Sequence, residues 1–114
     1  MSLTQSAIQQ IASGLVPEAR AFLAGHFVDA SDGGTFATIN PATGDALARV
    51  AHCTGGDVDR AVAAARRAFD DGAWSRSAPE HRKTVLLRLA DLVREHRDEL
   101  AVLESLDSGK TITD

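Results

Sequence analysis

Cys53 follows His52, and a thiol beside an imidazole invites a thiolate nucleophile activated by a neighbouring base. Both residues close a stretch that reads as a β-strand. Consecutive strand side chains point to opposite faces, so the two would meet only across a local bulge. A free cysteine packed as a small hydrophobe is the simpler account. The remaining histidines, His26, His81 and His96, are scattered, and none has the i, i+4 spacing that sets two imidazoles on one helix face around zinc. With Cys53 the sole cysteine, a transition-metal centre is not expected.

Gly109-Lys110-Thr111 matches the end of a phosphate-binding P-loop, in which backbone amides cradle phosphate and the lysine reaches it. That motif needs a glycine five residues before Gly109. Glu104 stands there, and its charge would repel phosphate. The better reading is Gly109 as a helix terminator and Lys110 as a complement to the negative helix end. Among the carboxylates, Asp57/Asp59, Asp70/Asp71 and Asp98/Glu99 are too close in sequence to share a helix face, so capping and solvation account for them. Asp107 differs, because it ends an apolar helix where the dipole disfavours negative charge. A nearby cation or hydrogen-bond donor would explain it; so would a frayed, solvated helix end.

The elements that must position these residues follow from apolar periodicity and turn residues. Ile8, Ile11 and Leu15 form one stripe of a short helix that ends near Gly14 or before Pro17. Three strands are predicted next, Phe22 to Val28, Thr35 to Asn40 and Ala46 to His52, separated by Ser31-Asp32-Gly33-Gly34 and Pro41-Ala42-Thr43-Gly44. Connections this short make an antiparallel meander. Thr54 with Asp57 reads as the N-terminal cap of a helix running to Gly72. Ser77-Ala78-Pro79-Glu80 reads as a second capping box, and Val85, Leu86, Leu89, Leu92 and Val93 as a buried stripe. Leu100, Leu103 and Leu106 continue an apolar face to Ser108-Gly109, with Asp98 a candidate cap for a separate third helix. The fold class is therefore α+β: a short N-terminal helix, a three-stranded antiparallel meander, then two or three helices.

The 114 residues are one domain's worth of sequence, and a 44% hydrophobic share argues against disorder. A formal charge of -4 offers no field to gather phosphates, so neither nucleic acid nor an anionic membrane surface is an expected partner. No apolar run approaches the roughly 20 residues of a membrane span. The N-terminus lacks the features of a secretory signal, and one cysteine cannot form an internal disulfide, so cytoplasm is the expected compartment. Met1, Ser2 and Leu3 read as an expression remnant.

Four stretches, in this order, resemble NAD(P)-dependent aldehyde dehydrogenases: Phe36-Ala37-Thr38-Ile39-Asn40-Pro41-Ala42-Thr43-Gly44; Asp57-Val58-Asp59-Arg60-Ala61-Val62 with Ala65-Arg66-Arg67-Ala68-Phe69; Trp74-Ser75 followed by Pro79, Arg82 and Leu89-Ala90-Asp91-Leu92; and Glu99-Leu100-Ala101 with Leu103-Glu104-Ser105-Leu106-Asp107-Ser108-Gly109-Lys110. The resemblance implies that residues 1–114 are an N-terminal fragment, a peripheral piece of an α/β NAD(P)-binding domain. It implies that the parent oxidises an aldehyde to a carboxylic acid or thioester through a catalytic cysteine, with NAD or NADP as cofactor, in a homo-oligomer. The family's catalytic and cofactor-binding residues lie far downstream, and Cys53 does not match the nucleophile. No catalytic or cofactor-binding residue is therefore assigned, and the chain alone is expected to be inactive, with no cofactor bound. One site carries over, a monovalent-cation site built from the backbone carbonyls of Thr38 and Ile39 and the carboxylate of Asp107. Thr111 stands where the family usually has proline. The wording from Asp70-Asp71-Gly72 to Leu92 is most similar to the γ-glutamylaminobutyraldehyde and amino-aldehyde branch. The alternative is a stand-alone structural or interaction module that reuses this scaffold.

Overall fold

The computed structural model describes residues 3–112, so Met1 and Ser2 of the proposed remnant, and Asp114 at the other end, lie outside the described residues. Helix α1 spans Gln5–Gly14, where Thr4 caps it by accepting a hydrogen bond from the Ala7 amide at 3.2 Å. Leu15 then takes an extended conformation ahead of Pro17, which stops the helix where the sequence places the stop.

The predicted strand Phe22 to Val28 is two strands. β1 (Ala21–Leu23) and β2 (His26–Val28) form a tight hairpin with Phe22 opposite Phe27. Ala24 and Gly25 both have positive φ, at 52° and 87°. That is the hairpin turn whose twist suits adjacent strands. Alanine is an uncommon occupant of its first position, so the turn carries no asparagine or aspartate to announce it. Phe22 and Phe27 meet edge to face at 5.1 Å, and the Arg20 guanidinium lies over Phe27.

β3 (Thr35–Ile39) and β4 (Ala46–Ala51) form a second antiparallel pair, with the register shifted between Thr38 and Ile39. Their turn follows its residues. The Asn40 side chain accepts from the Ala42 amide, the Gly44 amide donates to Asn40 O, and Gly44 takes φ 80°. β2 does not pair with β3, so the expected three-stranded meander is replaced by two separate two-stranded sheets. The intervening loop is drawn to a helix instead, through Ser31 and Asp57.

Three further helices follow. α2 (Gly55–Asp71) begins at the Thr54/Asp57 capping box and ends at Gly72 with φ 79°. α3 (Pro79–Glu95) starts without its expected capping box. The Ser77 hydroxyl donates to Trp74 O at 2.8 Å within the preceding turn, which leaves Ala78 at the cap position and Pro79 in the first turn. Glu80 instead lies 3.5 Å from Lys83. α4 (Arg97–Ser108) is a separate helix, but His96 takes the cap position; Asp98 and Glu99 act as first-turn charges at the positive helix end.

The C-terminal end of α4 docks on the β3–β4 turn. Gly109 has φ 76°, and a Cβ there would come within 3.0 Å of Pro41 Cγ. Gly109→Ala should therefore cost about 1–2 kcal/mol from the left-handed backbone alone, and Pro41→Ala should relieve only the contact part. Urea midpoints of the two single variants and the double variant measure both components.

Candidate functional site

The structure brings Thr38 and Asp107 together across 69 positions of sequence, and the Thr38 hydroxyl donates to Asp107 Oδ1 at 2.5 Å. Thr38 shares the face of Phe36, two residues earlier in β3, and with it lines the groove against α4; the register shifts only after it, before Ile39. Ile39 follows immediately, on the strand's last position. Asp107 sits next to last in α4, where backbone carbonyls already concentrate negative potential. No cationic side chain meets it among the described residues: Lys110 lies 3.7 Å from Glu104 instead of serving the helix end. The Thr38 hydroxyl and the Asp107 carboxylate are thus brought together, with no cationic side chain beside them among the described residues.

Thr38 and Asp107 also line a groove of about 670 Å³ between the β3–β4 pair and α4. Its walls are otherwise largely apolar, with Pro17, Phe36, Leu47, Val50, Leu100 and Leu103 prominent.

The most strongly held carboxylate is Asp57, which is 2% exposed. Its Oδ2 accepts from the Thr54 amide at 2.8 Å and from the Ser31 amide and hydroxyl at 3.2 and 3.1 Å. The Thr54 hydroxyl lies 3.0 Å away, and Arg60 pairs with Oδ1. These donors, led by the two backbone amides of Thr54 and Ser31, hold the Asp57 carboxyl well below the usual carboxylate range. The local capping box is readable from the Thr54-Asp57 spacing. Ser31, 26 positions away, carries only turn chemistry in the sequence, because no local pattern links a loop serine to a distant helix start.

The other candidates do not converge. Cys53 is exposed and lies beyond the end of β4, while the His52 ring packs edge-on against Phe36 at 6.0 Å. His81 packs against Trp74, and His96 lies 3.3 Å from Glu99. Among the described residues, no group of three or more His, Cys, Asp or Glu side chains converges on a metal position. No helix there is long and apolar enough to cross a membrane.

The profile of the aldehyde dehydrogenase family matches residues 27–114. The chain belongs to the aldehyde dehydrogenase family. It is 56% identical over 110 residues to aminoacetaldehyde dehydrogenase of Pseudomonas aeruginosa, covering 96% of this chain and 22% of that protein. Among solved aldehyde dehydrogenases, the indole-3-acetaldehyde dehydrogenase of P. syringae, determined with NAD+ and IAA, superposes with a TM-score of 0.95 at 48% identity, over 99% of this chain and 23% of the other. The γ-glutamyl-γ-aminobutyraldehyde dehydrogenase of Burkholderia cenocepacia also reaches 0.95, at 53% identity, over 98% and 23%. The chain thus spans less than a quarter of the length of these three relatives.

In this aldehyde dehydrogenase chain, the glycines after β4 do not make a dinucleotide cradle. Such a cradle needs free amides at a helix N-terminus. At α2 the Asp57 carboxylate already takes the Thr54 amide and puts a negative charge where a pyrophosphate would sit. The residues present do not fit NAD(P) at this helix.

Because folding lowers the Asp57 pKa below its unfolded value of about 3.9, its contribution to stability is full above that pH and is lost as the pH falls through the folded value. Asp57→Asn should lower the urea midpoint at neutral pH and flatten its decline in acid. Parallel acid titrations of the two proteins check this.

Proposed function

We propose that this chain is scaffold of an NAD(P)-dependent aldehyde dehydrogenase whose intact form, a homo-oligomer, oxidises an aldehyde to a carboxylic acid. Amino aldehydes are the proposed substrate class. The observation that carries this reading is the 56% identity to aminoacetaldehyde dehydrogenase across nearly the whole chain. The 53% identity and matching fold of the γ-glutamyl-γ-aminobutyraldehyde enzyme point the same way. In this reading residues 1–114 are the N-terminal part of the cofactor-binding domain, and the nucleophile and the dinucleotide site belong to other parts of the subunit.

The intact protein should form NAD(P)H faster with aminoacetaldehyde or γ-glutamyl-γ-aminobutyraldehyde than with an unsubstituted aliphatic aldehyde, as followed by the absorbance of the reduced cofactor. Equal or greater rates with the aliphatic aldehyde would remove the substrate assignment, and no reduction with any aldehyde would remove the enzymatic one. The purified 114-residue chain should show no saturable NAD reduction.

The proposal extends to the cation. The carbonyls of Thr38 and Ile39 and the Asp107 carboxylate would hold a monovalent ion and neutralise the charge at the end of α4. Replacing choline by potassium at constant ionic strength should raise the Tm of the intact protein, and Asp107→Asn should abolish the rise. An identical Tm in the two salts would refute the site.

A further inference from the structure

We draw no further inference here: the strongest candidate, the recess between the two sheets lined by Arg20, Asp29, Arg49 and the Gly33-Gly34 backbone, carries nothing because Arg20 is paired with Glu18, Arg49 donates to Thr35, Asp29 sets a carboxylate against any anion they would attract, and nothing in the structure shows what occupies it.

Discussion

The Asp57 carboxylate is the point on which the arrangement of the first half of the chain depends. It sits at the start of α2, nearly sealed from solvent, and accepts hydrogen bonds from the loop after β2 and from the residue that leaves β4. A buried carboxylate is tolerable only when its oxygens are saturated by donors, and charged hydrogen bonds to backbone amides are among the strongest available. Ser31, Thr54 and Arg60 supply that saturation. The consequence is topological as well as energetic. Ser31, in the chain between β2 and β3, is held at the helix start, and the flanking strands lie in two separate sheets where turn chemistry alone suggests one.

The opposite end of the β3–β4 pair is fixed by α4. Thr38 donates to Asp107, and Pro41 lies against the backbone of Gly109, so the turn and the helix end approach at two points. Glycine serves two requirements there at once, a left-handed cap and a close backbone approach. Between these two points and the α1–α4 contact lies the groove, whose apolar walls come from strand and helix faces that are each unremarkable in sequence.

What was legible in the sequence was local. The Thr54-Asp57 box, the Asn40-to-Gly44 turn and the glycine stops at 72 and 109 are all patterns within a few residues, and each stands where its chemistry puts it. The hairpin at Ala24-Gly25 escaped because its first residue is atypical for the turn it makes. Ser77 escaped as well: a hydroxyl that can cap a helix can equally satisfy the preceding turn, and here it donates to Trp74 O. The contacts that span long separations, Ser31 with Asp57 and Thr38 with Asp107, cannot be derived from spacing. The second was anticipated only because family resemblance placed both residues in one site. Periodicity likewise located the apolar stripe of α3 but could not say whether this chain covers it.

Asp107 shows how a scaffold can retain a residue that works against its own helix. A carboxylate in the last turn raises the negative potential already produced by unpaired carbonyls, and the neutral Thr38 hydroxyl satisfies one oxygen without balancing the charge. Glu104, one turn earlier, adds to the same potential, and Lys110 is engaged with it. An uncharged residue at 107 would make a more stable isolated helix. Its placement is intelligible with the proposed monovalent cation, which would balance that charge. The same reasoning separates the two kinds of information in this chain. The caps and glycines specify this fold, whereas Leu86 and Leu89 of α3 stay more than half exposed and bury little within it.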